Sequence, residues 1–195
     1  MRKINRLPTP LFLSQNWEEW GIEFVKKKEN NPSYRFAWKS FNGQTVDKQL
    51  LPLLNKMTQT HCAYCDNFPL GGASRETIEH FKPKSLFPRE AYFWENLFLC
   101  CDKCQSAKLE KYDLLLLKPD SYEYEFNAYF IFDFESGELS AKPNTPKIFQ
   151  ERANKTIEIL QLNRKELCKM RLREIKVFEN NTFELDDYNF RFLFD

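Results

Sequence analysis

Two CxxC pairs constrain this chain more than any other feature of its sequence. Cys62 and Cys65 form the first pair, and Cys101 and Cys104 form the second. Each pair places two sulfur atoms on one tight turn, and two such turns supply four thiolates to a tetrahedral Zn²⁺ with no open position. We therefore predict a structural zinc site, whose binding energy is part of the folding energy of this region.

The predicted zinc site requires reduced thiols, which bears on the cellular compartment and on the other cysteines. A signal peptide is not indicated, because the apolar stretch after the basic N-terminus is short and contains two prolines, and no run approaches the roughly 20 apolar residues of a membrane helix. We expect a cytoplasmic protein with reduced thiols. Cys100 is an alternative ligand to Cys101, His61 is either a stray ligand or a surface residue, and Cys168 is expected to be a small buried residue.

The chain divides into three segments around the cysteines. Residues 1–59 are expected to be helical, with one helix ended by Asn30-Asn31-Pro32 and a second in which Pro52 either makes a kink or lies in the first turn. Residues 60–118 form the central module: strands over 77–81 and 97–100, then a helix over 102–111 with Asp102 as its N-cap. The fold class is therefore α+β.

Residues 119–195 are predicted to be a β-hairpin followed by a helical extension. Alternating aromatic residues over 122–134 indicate a half-buried strand or a bent pair of strands, and a turn follows at 135–137. Two helices are expected next, the second started by a capping box at Asn163 and Glu166. The stretch 179–195 is acidic and aromatic, and three interpretations are compatible with it: a strand, a tail, or a segment that docks a partner.

Charge argues against strong non-specific binding to polyanions. The formal net charge is +1, although residues 147–176 are rich in Lys and Arg. That basic segment either follows a phosphate backbone or is a solvated helix face.

Glu79 and His80 lie between the two cysteine pairs and carry the chemistry that the sequence suggests. A phosphodiester nuclease needs a base that works near neutral pH and a divalent cation held by a carboxylate, and His and Glu supply these. Adjacent side chains on a regular strand point to opposite faces, so the two can share one phosphate only if the strand ends or bulges there. Asn96 is interpreted either as a turn residue or as an amide that fixes the neighbouring loop or the His80 imidazole.

The order of these motifs resembles that of the HNH endonucleases. The resemblance is carried by Cys62–Cys65, by the stretch IEHFKPKS at 78–85, and by WENL at 94–97 followed by the second CxxC and a lysine. Together with the ANKTIEILQLN stretch at 153–163, these residues resemble PtuB-type HNH proteins of Septu anti-phage systems and related retron effector modules. The resemblance implies a ββα-metal core on a four-cysteine zinc scaffold, flanked by helices and a small aromatic β-element.

The resemblance also implies roles for single residues. His80 would be the general base, Glu79 would replace the usual metal-binding Asp, and Asn96 would be the middle Asn. Gln105 stands where His or Asn is common, so it would hold Mg²⁺ or Mn²⁺ more loosely. Three lysines are candidates for contact with substrate phosphates, with a solvated role as the alternative: Lys82, Lys84 and Lys108.

Three functions are compatible with these observations. The first is a metal-dependent endonuclease acting on DNA or RNA within a complex with an ABC-type ATPase of the PtuA type, which the resemblance implies. The second is a catalytically weak or inactive zinc-stabilised module that docks the ATPase or nucleic acid, and Gln105 favours it. The third, a purely structural zinc protein, leaves the Glu79-His80 pair unexplained.

Overall fold

The computed structural model describes residues 1–72, 74–180 and 182–195, and in these it is an α+β protein. Helices surround three separate two-stranded antiparallel sheets. In chain order the elements are α1 (Leu11–Asn30), β1 (Ser40–Phe41), β2 (Gln44–Thr45), α2 (Val46–Thr58), β3 (Glu76–His80), β4 (Leu97–Cys101), α3 (Asp102–Lys108), α4 (Phe126–Tyr129), β5 (Phe130–Phe132), β6 (Leu139–Ala141), α5 (Lys147–Leu160) and α6 (Lys165–Glu179). None of the described helices combines the length and the apolar character needed to cross a membrane.

The N-terminal segment is helical, as predicted. Helix α1 ends at Asn30, directly before the Asn31-Pro32 break, because proline disfavours a helical conformation in the residue before it. Gly21 lets α1 approach the turn at 88–90, since a Cβ there would lie 2.2 Å from the carbonyl oxygen of Arg89. Pro52 lies well inside α2, so the expectation that it starts the helix is wrong.

The central module has the predicted order of strand, strand and helix. Strands β3 and β4 pair with Glu76 opposite Cys101 and His80 opposite Leu97, and α3 follows β4 without a break. The helix ends at Lys108, earlier than predicted. Its N-cap is Cys101 instead of Asp102, because the Cys101 sulfur accepts a hydrogen bond from the Cys104 amide at 3.4 Å.

The C-terminal segment differs from the prediction in two places. Neither the strand nor the bent pair of strands expected over 122–134 is present: Phe126–Tyr129 is a helical turn, and only Phe130–Phe132 is a strand, paired with β6 across the predicted turn. The capping box at Asn163 is also wrong, since α6 begins at Lys165. The Asn163 amide instead bonds the backbone N–H and carbonyl of Leu139 at 2.8 Å each, which joins the hairpin to the helices.

The last described stretch, 182–195, folds back onto the molecule. It contains two 3-10 turns and no strand within the described residues. Arg191 makes a buried ion pair of 2.8 Å with Asp66, which lies directly after the first cysteine pair. Aromatic residues from this stretch enter the common core, among them Phe190 and Phe192.

Candidate functional site

The four predicted zinc ligands lie together in the interior. The sulfur atoms of Cys62, Cys65, Cys101 and Cys104 are all within 4.8 Å of one another, and all four residues are buried. The Cys65 and Cys101 sulfurs are 3.8 Å apart, which matches the separation of about 3.8 Å expected in a tetrahedral site with Zn–S bonds of about 2.3 Å. The donor set therefore fits a closed, structural zinc site.

Backbone hydrogen bonds position these sulfurs. The turn at Cys62 closes when the Asp66 amide donates to the Cys62 carbonyl at 2.9 Å, and it is held to β4 by a bond of 2.9 Å from the Ala63 amide to the Leu99 carbonyl. The Cys101 amide donates to the Cys62 sulfur at 3.3 Å. The cluster therefore joins the first turn, the hairpin and the start of α3.

Arginines of the basic segment compensate part of the charge of the cluster. Four thiolates around Zn²⁺ leave an excess of negative charge, and the guanidinium of Arg164 lies 3.5 Å from the Cys104 sulfur. The neighbouring thiols raise the pKa of Arg164 against the opposing effect of its burial. Arg171 is completely buried and donates to the carbonyls of Gly137 and Leu162. Sequence reasoning had no signal for this role, because both arginines look like solvated helix residues.

Cys100, Cys168 and His61 lie outside the four-cysteine cluster. Cys100 is buried with its sulfur 4.0 Å from that of Cys62, so it flanks the cluster without completing it. Cys168 is buried, as expected. His61 is neither a surface residue nor a ligand: it is fully buried, and its ring nitrogens face the carbonyls of Gln59 and Tyr188.

His80 lies at the end of β3 against an aromatic wall. Its ring stacks on Trp38 with a centroid distance of 5.7 Å and meets the edge of Phe36 at 5.5 Å. The Nε2 atom lies 2.9 Å from the carbonyl oxygen of Ala91. Because a carbonyl can only accept, the proton of the neutral ring is on Nε2, and Nδ1 is left as the basic nitrogen.

Burial keeps the imidazole neutral. Desolvation, assisted by the charge of Lys84, lowers the pKa of His80 to about 3. The residue is only 4% exposed. A neutral ring can accept a proton at pH 7, although a base with so low a pKa is a weak one.

Glu79 is buried beside a buried lysine. Its Oε1 atom is 2.9 Å from the Lys108 ammonium, which also donates to the His80 carbonyl at 2.8 Å. Burial raises the pKa of the Glu79 carboxyl, and Lys108 opposes that change. Lys108 is fully buried, so the solvated alternative for it is wrong, and in the structure its ammonium is the counter-ion to Glu79.

Gln105 projects from α3 to the same place. Its amide nitrogen lies 3.4 Å from the Ile78 carbonyl. Gln105 also opposes the rise in the pKa of Glu79 that burial causes.

Asn96 fixes the loop that follows β3. Its Oδ1 atom accepts from the Lys82 amide at 2.7 Å, and its Nδ2 donates to the carbonyls of Lys82 and Glu90 at 3.0 and 3.1 Å. This loop presents the Ala91 carbonyl to His80. Of the alternatives for Asn96, the structure therefore supports the one in which its amide holds the loop.

Lys82 and Lys84 have different surroundings. The ammonium of Lys82 is paired with Glu90 at 2.9 Å and lies over the Phe87 ring. The ammonium of Lys84 lies 5.5 Å from the Phe36 ring centroid, and Lys84 borders the pocket described next. Lys84 is thus the better placed of the two to meet a phosphate at that pocket.

One pocket of about 240 Å³ brings these residues together. It is bordered by the following residues: Glu79, His80, Pro83, Lys84, Gln105, Ser106, Leu109 and Glu110. Glu79 and His80 can both border it because β3 ends at His80. A larger cavity of about 680 Å³ lies elsewhere, and two of its charged residues, Arg191 and Asp186, are paired with each other.

The fit of a catalytic divalent ion to this pocket is incomplete. Mg²⁺ is commonly held by one or two carboxylates together with substrate phosphates. Glu79 is the carboxylate nearest to His80, and Lys108 already occupies one of its oxygens. The pocket residues thus provide two carboxylates, from Glu79 and Glu110, and one amide, so a bound phosphate would have to supply further ligands.

Two parts of the site could not be found by sequence reasoning. Trp38 and Phe36 come from the coil before β1, far from the motifs in sequence, and the Ala91 carbonyl is a backbone group with no residue signature. No protein-family model matches the chain, and no curated protein matches it either.

Proposed function

We propose that this protein is a metal-dependent endonuclease of the HNH type that hydrolyses phosphodiester bonds in nucleic acid. The observation that carries the proposal is the convergence of His80, Glu79 and Gln105 on one pocket, on a strand-strand-helix module attached to a four-cysteine cluster. The HNH motif order of the sequence supports the same function.

His80 is the general base in this proposal. Its Nε2 is occupied by the Ala91 carbonyl, so Nδ1 is the atom that takes the proton from an attacking water. Asn96 maintains that geometry by holding the loop that carries Ala91. Trp38 restricts the rotation of the ring by stacking on it.

The remaining polar groups serve the phosphate and its charge. Glu79 is the residue that would hold Mg²⁺ or Mn²⁺, which would supply charge neutralisation at the scissile phosphate. Gln105 borders the pocket beside Glu79 and offers an amide to the ion, and Lys84, which also borders the pocket, attracts the phosphate. The near-zero net charge fits an effector that reaches its substrate within a complex, and we propose an ABC-type ATPase as its partner in anti-phage defence.

Cleavage of plasmid DNA and of tRNA with Mg²⁺ or Mn²⁺ tests this function. We expect the wild type to cleave one of them, and His80→Ala to lose at least a hundredfold in rate, as expected for removal of a general base. Lys103→Ala, an exposed change on α3, is the control and should cleave like the wild type. Equal activity in His80→Ala and the wild type would contradict the proposal.

A second candidate is a catalytically weak or inactive module that binds nucleic acid or the ATPase. The specific observation in its favour is that Glu79 is already neutralised by Lys108 while His80 is a weak base. In that case neither nucleic acid is cleaved, with or without the ATPase, and His80→Ala leaves binding unchanged.

A further inference from the structure

A second pocket lies on the other side of the aromatic wall that supports His80. It has a volume of about 210 Å³, below the range of about 300–1,000 Å³ that is usual for drug-sized ligands, so it suits a single planar ring system. Its walls are mainly aromatic, and they include Trp20, Phe24, Tyr34, Trp38 and Tyr92.

The aromatic walls are held in place before any ligand arrives. Tyr92 is fixed by a hydrogen bond from its hydroxyl to the Ala37 carbonyl at 3.0 Å. Trp20 and Trp38 meet the Tyr92 ring edge-on at 5.4 and 5.6 Å. Tyr34, which contacts Phe24 at 6.2 Å, is only partly buried and forms an accessible part of the wall.

The charge around this pocket is positive. Lys27 and Lys39 border it, and the ammonium of Lys27 lies 5.5 Å from the Tyr34 ring centroid. Lys26 and Arg35 are exposed on the same stretch of chain. Glu23 pairs with Lys39 and offsets part of this charge. Aromatic faces rimmed by Lys and Arg are the combination that binds single-stranded nucleic acid, where bases stack and phosphates pair with cations.

Trp38 connects this pocket to the pocket beside His80. Trp38 borders the aromatic pocket and also stacks on His80, while Phe36 contacts both His80 and Lys84. A base bound in the aromatic pocket would therefore lie close to a phosphate bound beside His80, along the same nucleic-acid strand.

We infer that this aromatic pocket binds one unstacked nucleobase of the substrate strand, close to the phosphate that meets His80. The inference rests on the proposed function and narrows it to single strands, loops or other unpaired nucleotides. A fully paired duplex cannot enter, because its bases are stacked inside the helix. Stacking of the base then adds to the affinity from phosphate–lysine contacts, and the contribution of those contacts falls as the salt concentration rises.

Binding of an oligonucleotide to the full chain tests this inference. We expect a single strand, of DNA or RNA, to bind more tightly than a blunt duplex of the same length. Tyr34→Ala should weaken binding of the single strand by roughly 5-fold to 100-fold, the loss expected for one base–aromatic stack. Tyr34→Phe keeps the ring and should bind like the wild type, which excludes misfolding as the cause, and Tyr122→Ala, at a side chain 91% exposed, is the matched control.

Photo-crosslinking identifies the residues in contact with the base. A single strand containing one 5-iodouracil should crosslink to Tyr34, Trp38 or Tyr92, as mapped by mass spectrometry. Crosslinks confined to other residues, equal affinity for the duplex, or unchanged binding by Tyr34→Ala would each overturn the inference. If the aromatic pocket instead binds a partner protein, Tyr34→Ala will bind the oligonucleotide like the wild type.

Two combinations of results separate base binding in the aromatic pocket from nuclease activity. If His80-dependent cleavage occurs while Tyr34→Ala binds and cleaves a single strand normally, the base pocket is refuted and the nuclease stands. If crosslinks map to the pocket while no cleavage occurs in any protein, the base pocket is supported and the nuclease is refuted.

Discussion

At the scale of single residues, the site depends on buried polar groups whose partners are far away in the sequence. The Glu79-His80 pair was predicted because its residue types suit phosphodiester chemistry. Its surroundings were not, because the lysine that neutralises Glu79 and the carbonyl that orients His80 are set by tertiary packing. The solvated alternative for Lys108 was wrong for this reason: spacing places it one turn after Cys104, but spacing does not show that its side chain turns inward.

Replacing Lys108 by methionine should strongly destabilise the protein. The change leaves the buried Glu79 carboxylate without its cation, and breaking a buried ion pair costs about 3–5 kcal/mol. Urea unfolding of Lys108→Met measures the loss. Lys103→Met, exposed on the same helix, is the control and should change the free energy of unfolding little.

The double variant Lys108→Met with Glu79→Gln separates the charge from the packing. It removes both charges, so it should regain most of the stability that Lys108→Met loses. Equal stability of Lys108→Met and the wild type would show that the pair is not buried in solution.

His80 should make the stability of the protein depend on pH. The folded pKa is about 3, whereas the unfolded value is about 6.5, so the unfolded chain binds more protons between these values. The stability is then complete above pH 6.5 and is lost as the pH falls toward 3. Between pH 7.5 and 5.5 the free energy of unfolding should fall by about 1.4 kcal/mol through this residue.

Urea unfolding of the wild type and of His80→Gln at both pH values checks this expectation. The two proteins share the cysteine cluster, so effects of acid on zinc binding cancel in the difference between them. A pH dependence that is the same in both proteins would contradict the assignment of a neutral, buried imidazole.

At the scale of elements, local sequence was a good guide wherever the element is continuous and its pattern is strong. The β3–β4–α3 order and the end of α1 at Asn30 were predicted because each has a local cause, in the cysteine turns and in Pro32. The strand or bent pair of strands expected over 122–134 was wrong, since Tyr124 instead stacks on Tyr129 and donates from its hydroxyl to the Met1 carbonyl. Tertiary contacts overrode the alternating pattern there.

Loss of one zinc ligand should unfold the β3–β4–α3 module. A structural zinc contributes about 10–16 kcal/mol in small zinc-dependent domains, which is comparable to the entire stability of a typical protein of about 5–15 kcal/mol. We expect Cys62→Ser to lose zinc and to aggregate or unfold. Metal analysis and circular dichroism measure both effects.

Cys168→Ser is the matched control for this experiment. It also replaces a buried thiol, but its sulfur lies outside the four-cysteine group. We expect it to keep one zinc per chain and the wild-type spectrum. Full zinc content and an unchanged melting temperature in Cys62→Ser would refute the zinc site.

At the scale of the whole molecule, residues from all three predicted segments enter a single buried core. Leu13 comes from the first segment, Phe98 from the second, and Phe190 from the last. The sequence located the motifs correctly along the chain, but it did not show which distant parts meet them. Arg191 on Asp66 and Trp38 on His80 are examples, because neither pair has a spacing rule that could reveal it.

The stacking of Trp38 on His80 has a practical consequence for anyone who isolates the central motif. A fragment that starts at residue 60 omits Phe36 and Trp38, so one face of the imidazole would stand in water. Without that shield the ring would be less desolvated, so its pKa would rise toward the usual value of histidine, and its side chain would rotate more freely. Such a minimal fragment, even with zinc bound to its four cysteines, would therefore be a poor substitute for the intact chain in any assay.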